Sequence, residues 1–209
     1  MEIENVFDKN GYVVVTDAVS KEICDFVNQY FLMKRKVVEQ MKFTKVISPF
    51  IQYLGVWDDP QVPGTYSHYS DFAMETLLKG LKTTMEKVTG RKLYENYSYA
   101  RIYKYGDLLR RHKDRFSCEI STTLNLGGDP WPIYLDPTGG EGNEGIEVNL
   151  RPGDMLVYKG NMLEHWRYAF TGSQCTQVFF HYNDSSTEGA EENKYDRRPF
   201  LGLPSCLKK

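Results

Sequence analysis

The stretch Arg101-Ile-Tyr-Lys-Tyr-Gly-Asp-Leu-Leu-Arg-Arg-His-Lys-Asp-Arg115, read together with Glu164-His-Trp-Arg167, decides how this chain folds. His112 and Asp114 stand two apart with Lys113 between them. On an extended strand alternate side chains share a face, so the imidazole and the carboxylate project together and Lys113 points away. A second imidazole on another strand, His165, would complete a face of two histidines and one carboxylate with coordination positions left open. That donor set suits non-haem Fe(II). The plainer alternative for His112 is a surface histidine in the basic run of Arg110, Arg111, Lys113 and Arg115.

Working outward, everything after Gly90 reads as short strands: 97–105, 108–114, 118–126, 133–135, 146–150, 154–158, 165–170 and 175–182. Between them lie turn-rich stretches such as Gly127-Gly-Asp-Pro-Trp-Pro132 and the loop Gly139-Gly-Glu-Gly-Asn-Glu-Gly145. Many short strands with turn signals between them make a sandwich or a barrel. Upstream, 11–16 is a β-branched run that predicts a first strand. Ser20 can cap the helix that follows, with Glu22 in its first turn and Ile23, Val27, Tyr30 or Phe31, and Val37 or Val38 at helical spacing. From 43 to 70 Pro49, Pro60, Pro63 and Gly64 break any pattern, and Trp57, Tyr66 and Tyr69 there either lid a pocket or cover the edge of the core. A second helix is predicted over 71–89, with Leu77, Leu78, Leu81, Met85 and Val88 as its stripe and Gly90 as its stop. The fold class is therefore α+β: a double-stranded β-helix (a jelly roll, cupin-like) buttressed by N-terminal helices. One domain spans 1–209, with helical support and the first strand over 1–96, the jelly-roll core over 97–182, and a polar loop and tail over 183–209. Within that tail, 185–194 is expected to be mobile and 195–204 to dock back.

The 209 residues suffice for a sizeable core, and 41% hydrophobic with 26% charged residues is ordinary globular composition. A formal net charge of -2 argues against a general nucleic-acid surface. Four scattered cysteines form no CxxC pair, no signal peptide precedes the first strand, and no apolar run is long enough to span a membrane. A cytoplasmic location with reduced thiols, no membrane partner and no nucleic-acid partner is the expectation. Fifteen tyrosines in an aromatic share of 14% suit a β-rich domain with a lined pocket.

In order, the chain offers Tyr103 before the motif, His112-x-Asp114, Ser121-Thr-Thr-Leu-Asn-Leu126, Arg151-Pro-Gly-Asp-Met-Leu-Val-Tyr158, distal His165 and a closing strand. This ordered set resembles the 2-oxoglutarate-dependent Fe(II) oxygenases, most nearly the branch of prolyl hydroxylases and phytanoyl-type hydroxylases. The resemblance covers about 97–182 and, more loosely, the first strand and its helix. It implies that His112, Asp114 and His165 bind Fe(II), and that 2-oxoglutarate and O2 are co-substrates of a hydroxylation releasing succinate and CO2. The sequence departs from the family's pattern at one place. About ten residues after the distal histidine, where the family carries Gly-x-Arg or Gly-x-Lys for the far carboxylate of 2-oxoglutarate, this chain has Gly172-Ser-Gln174. Glutamine cannot neutralise a carboxylate, so another cation is required. Arg167 is the first candidate because it shares a strand face with His165; Arg101 and Lys104 follow, and Tyr103, Asn125 and Gln177 would add hydrogen bonds. His68 and His181 lack a carboxylate at metal spacing and are read as non-ligands.

Two rival readings accompany the oxygenase: a cupin-like metal dioxygenase or isomerase using no 2-oxoglutarate, supported by the missing Gly-x-Arg, and a non-catalytic β-sandwich binding module. The substrate is expected to be a small molecule or a peptide, with peptidyl proline, a free amino acid and a lipid-like acid all open. Trp131, Tyr134, Trp166 and Arg115 are either mouth-lining or packing residues.

Overall fold

A computed structural model describes residues 3–138 and 142–209; the first part of the predicted 139–145 loop lies outside the described residues. The first helix, α1 (Ile3–Asn10), is followed by β1 (Tyr12–Val15) and α2 (Lys21–Phe43). Ser20 caps α2 as expected, its hydroxyl accepting from Ile23 N at 3.4 Å. The buried stripe of α2 is Cys24, Val27, Phe31 and Val38, whereas Ile23 and Val37 are about half exposed. It starts one position later than the sequence spacing suggested, at Cys24 instead of Ile23, because the helix lies on the sheet through that row.

After β2 (Tyr66–Tyr69) comes α3 (Phe72–Thr89), capped by the Asp71 carboxylate, which accepts from Ala73 N at 2.9 Å, and ended by Gly90 at φ 67°. Met74, Leu78, Leu81, Met85 and Val88 are buried on it, and Leu77 is only partly so. Truncating a fully buried residue such as Leu78 to alanine would cost about 2–5 kcal/mol.

Eight strands follow: β3 (Leu93–Lys104), β4 (Leu109–His112), β5 (Ile120–Gly128), β6 (Ile133–Asp136), β7 (Ile146–Val148), β8 (Met155–Lys159), β9 (Glu164–Arg167) and β10 (Gln174–Asp184). Together with β1 and β2 they form a six-stranded sheet ordered β1-β8-β5-β10-β3-β2 and a four-stranded sheet ordered β4-β9-β6-β7, every pairing antiparallel. From β3 onward, apart from the β6–β7 hairpin, the chain changes sheet at each step, which is a double-stranded β-helix. Strand alternation then sorts side chains. Ala100, Ile102, Val178, Phe180, Met155 and Val157 share one cluster with the buried faces of α2 and α3. The alternate residues Tyr99, Arg101, Tyr103, Gln177, Phe179 and His181 occupy the other face, toward the smaller sheet.

The tail differs from expectation. Rather than standing free, 185–194 is tied down by Thr187 Oγ1 donating to Glu119 at 2.7 Å and by Asn193 Nδ2 donating to Asn183 Oδ1 at 2.7 Å. Beyond it, Arg198 forms a buried ion pair with Glu75 of α3 at 2.9 Å. Tyr195, Asp196 and Arg197 are held at φ 55–65°, a costly left-handed run sustained by the docked side chains. Polar composition suggests mobility; the hydrogen bonds to Glu119 and to Asn183 of β10 override it.

Candidate metal and co-substrate site

The register of β4 against β9 sets His112 directly opposite His165. Their rings lie 4.2 Å apart between centroids, and Asp114, just past the end of β4, brings Oδ1 to 3.6 Å from His112 Nε2 and 3.5 Å from His165 Nε2. Gly160 O receives Asp114 N at 2.9 Å and pins the turn. Gly160 must be glycine here: a Cβ would stand 2.4 Å from Cys118 O and 2.6 Å from both Asp114 Oδ2 and Ser121 Oγ.

Both imidazoles have the same tautomer. His112 Nδ1 lies 2.7 Å from Arg110 O and His165 Nδ1 lies 3.1 Å from Leu163 O, so each Nδ1–H donates to a carbonyl and each Nε2 lone pair is left for the interior. The two lone pairs and the carboxylate Oδ1 converge. Three acceptors facing one point need a cation, or a proton, between them. Burial opposes protonation of His112, but the Asp114 carboxylate outweighs it and raises the His112 pKa. Burial likewise pushes Asp114 up, yet the neighbouring imidazoles of His112 and His165 hold it well below the usual carboxylate range. The donor set thus fits a divalent cation with open positions.

Behind the metal-facing oxygen, Ser121 Oγ donates to Asp114 Oδ2 at 3.0 Å and accepts from His181 Nδ1 at 2.9 Å. Burial lowers the His181 pKa to about 4, which keeps it a neutral donor. A second convergent group, Asp114, Cys118 and His181, is less suited to metal. Burial pushes the Cys118 thiol up, Tyr97 Oη lies 3.0 Å from its sulfur, and Nδ1 of His181 is already used. Sequence reading kept His181 out of the ligand set, and the structure puts it beside the ligand carboxylate instead. Alternation along β10 from Gln177 through Phe179 gives its direction.

Arg167 is two residues along β9 from His165 and turns the same way. It is 1% exposed, and its guanidinium donates to Trp131 O and lies 3.4 Å from both Thr123 Oγ1 and Gln177 Oε1. Its Nε has no hydrogen-bond partner, and among the described residues no carboxylate pairs with it. Burial lowers its pKa. Tyr103, stacked edge-on against Trp131 at 4.7 Å, and Gln177 belong to this cluster. Asn125 does not serve it: its amide donates to Leu150 O at 2.8 Å and its carbonyl accepts from Gly127 N at 2.9 Å. The alternative cations are engaged. Arg101 pairs with Asp59 at 2.7 Å, and Lys104, on the outer side, pairs with Asp107 at 2.7 Å.

A cavity of about 220 Å³ opens over the metal-facing atoms, lined among others by Tyr158, Phe179 and Arg101, and stops short of Arg167. Asp59 and Gln61 reach into it from 58–62, where the sequence shows no periodicity; Gln61 Nε2 lies 3.0 Å from His112 Nε2 and occupies its lone pair. Tyr69 and Arg115 line a neighbouring chamber. Tyr66 packs into the core, as does Trp57 against it. Tyr134 and Trp166 stack on each other at 5.9 Å, with Arg111 4.1 Å over Trp166, and line neither space.

By sequence no family model and no curated protein matches. By structure the chain is similar to a Pseudomonas putida prolyl-4-hydroxylase (12% identity, 88% of this chain and 98% of that one, TM-score 0.56). It is also similar to the non-haem α-ketoglutarate-dependent epimerase SnoN from nogalamycin biosynthesis (12% identity, 97% and 91%, TM-score 0.66). HygX from Streptomyces hygroscopicus, solved with nickel and 2-oxoglutarate, is a third (14% identity, 87% and 86%, TM-score 0.58). The fold is that of the 2-oxoglutarate/Fe(II)-dependent oxygenases, with a double-stranded β-helix core.

Proposed function

We propose that this chain is an Fe(II)- and 2-oxoglutarate-dependent dioxygenase that hydroxylates a small-molecule substrate. His112, Asp114 and His165 would hold the iron. The chemistry available with iron, 2-oxoglutarate and O2 is oxidation of a substrate C–H to C–OH as 2-oxoglutarate leaves as succinate and CO2. The observation that carries the reading is Arg167, a buried cation without a carboxylate, on the same strand face as His165. An unpaired buried guanidinium is costly, and a dicarboxylate reaching from the metal face would supply its missing partner. This also answers the absent Gly-x-Arg: the cation sits on β9 instead of β10. It weakens the reading that dispenses with 2-oxoglutarate.

The chain's own residues have definable tasks. The carbonyls of Arg110 and Leu163 fix the histidine tautomers, while Ser121 fixes the rotation of Asp114. Tyr158, its ring 4.8 Å from His165, and Phe179 keep water from the inner cavity. Gln61 would have to leave His112 Nε2 for a metal to occupy it, so 58–62 is the segment that moves on loading. Four free cysteines, three of them buried, suit a reducing compartment and support a cytoplasmic placement. Two structural neighbours are an α-ketoglutarate-dependent epimerase and an α-ketoglutarate-dependent carbocyclase. Calorimetry with Mn(II) tests the proposal: 2-oxoglutarate should bind only to metal-loaded protein, and binding that ignores the metal would refute it.

A further inference from the structure

Next to the metal-facing cavity lies a larger chamber of about 790 Å³, and the two share Asp59, Tyr97 and Tyr99 as walls. Resting on the oxygenase reading above, we infer that this chamber receives the substrate and that the substrate is an uncharged, multi-ring small molecule. Size is the first argument. The volume lies in the range of pockets that enclose drug-sized ligands, and a single amino acid would occupy only a fraction of it.

Ring surface is the second. Tyr69, Tyr97 and Tyr99 come from β2 and β3, and their hydroxyls are already used. Tyr69 donates to Asp196 at 2.7 Å, Tyr97 meets Cys118 Sγ at 3.0 Å, and Tyr99 meets Ser67 Oγ at 2.8 Å as well as Asp59. What these side chains offer a ligand is ring, not hydroxyl. The opposite wall, within 44–65, adds Phe50 and Tyr53, which are 88% and 56% exposed. Both add uncovered ring surface to that wall of the chamber.

Charge is the third. Arg115 is bound bidentately by Asp196 at 2.8 Å, and the same carboxylate takes Lys208 at 2.5 Å. Asp59 is paired with Arg101. Two cations on one carboxylate leave one positive charge over, which Asp58 on the same lining offsets, so among the described residues the chamber carries no net positive charge for a carboxylate, which disfavours both a lipid-like acid and a free amino acid. Among the described residues Asp58 forms no ion pair, and it is exposed to solvent.

A matched pair of fluorescent probes tests this directly. N-phenyl-1-naphthylamine is a neutral multi-ring molecule, and 8-anilino-1-naphthalenesulfonate carries the same rings with an anion. Titrated into Mn(II)- and 2-oxoglutarate-loaded protein, the neutral probe should bind saturably, one per chain, and the sulfonate about tenfold more weakly. Phe50→Ala combined with Tyr53→Ala, both at exposed side chains, should weaken the neutral probe about tenfold. Equal binding of the two probes, or no saturable binding while Mn(II) and 2-oxoglutarate still bind, would overturn the inference and leave the oxygenase reading intact. Displacement of the probe by a (Pro-Pro-Gly)₃ peptide at lower concentration than by neutral flavanone would overturn it in favour of a peptide substrate. If parallel calorimetry finds no Mn(II) or 2-oxoglutarate binding, the oxygenase reading falls and the chamber's substrate role falls with it.

Discussion

Replacing Arg167 with methionine separates two effects of opposite sign. In the free protein the guanidinium is buried without a counter-ion, so its removal relieves a desolvation penalty of several kcal/mol. Against that stands the loss of its hydrogen bonds to Trp131 O, Thr123 and Gln177, worth about 1–3 kcal/mol with Trp131 O left unsatisfied. Methionine keeps most of the volume against Trp131, whose ring lies 5.0 Å from the guanidinium. The two contributions nearly cancel, and the ligand-free stability should change by no more than about 2 kcal/mol, in either direction. Binding of 2-oxoglutarate should instead lose about 2–5 kcal/mol, or roughly 30- to several-thousand-fold in Kd, because a desolvated carboxylate loses its charge-assisted partner. Mn(II) affinity should hardly move, since Arg167 is not among the convergent donors. Differential scanning calorimetry with and without Mn(II) and 2-oxoglutarate reads all three quantities. A variant that loses stability severely but still gains its full thermal shift from 2-oxoglutarate would refute the assignment and return the role to Arg101.

Other perturbations have defined outcomes. Ser121→Ala frees Asp114 Oδ2 and should weaken Mn(II) binding about 10- to 100-fold by electron paramagnetic resonance titration, whereas Lys113→Ala, at an exposed side chain, should leave it unchanged. Gly160→Ala forces a methyl against the Asp114–Ser121 contact and should lower stability by about 1–3 kcal/mol in denaturant melts, with a parallel loss of metal affinity. Because Asp114 raises the His112 pKa, protons compete with metal to higher pH than for an ordinary histidine. Calorimetry should show Mn(II) affinity falling as pH drops through that raised value, and affinity independent of pH across the histidine range would contradict the donor assignment. His181 has its pKa lowered to about 4 by burial, so the unfolded chain takes up its proton first; the stability it contributes is present above about pH 6.5 and lost as pH falls toward about 4. His181→Gln should flatten that part of the stability curve.

Much of this was legible in the residues because two periodicities and a few special positions govern it. Ser20, Gly90 and the apolar rows of α2 and α3 announce the helices, and the order His112-x-Asp114 to His165 marks two strands that lie side by side in the smaller sheet. β2 was missed because Tyr66-Ser67-His68-Tyr69 is mostly buried on both faces and follows a proline-broken stretch, so no alternation marks it. α1 is too short for its stripe to stand out. Arg167 could be reached by strand parity, but Asn125 obeys the same parity and spends its amide on the 150 loop, which only coordinates reveal. The contributions of Asp59 and Gln61 come from irregular backbone, where sequence spacing says nothing about direction. His68, read from the sequence as lacking a paired carboxylate, is bonded to Asp71 at 3.1 Å and to Tyr53 O at 3.0 Å.

The most direct measurement is succinate formation from 2-oxoglutarate by purified protein supplied with Fe(II) and O2 and no further substrate. The open positions on the metal face and the buried Arg167 predict slow, iron-dependent turnover that is abolished by Asp114→Ala, which removes the single anionic donor of the His112–Asp114–His165 set. Iron bound through that set with 2-oxoglutarate neither bound nor decarboxylated would contradict the account and favour a cupin-like metal enzyme.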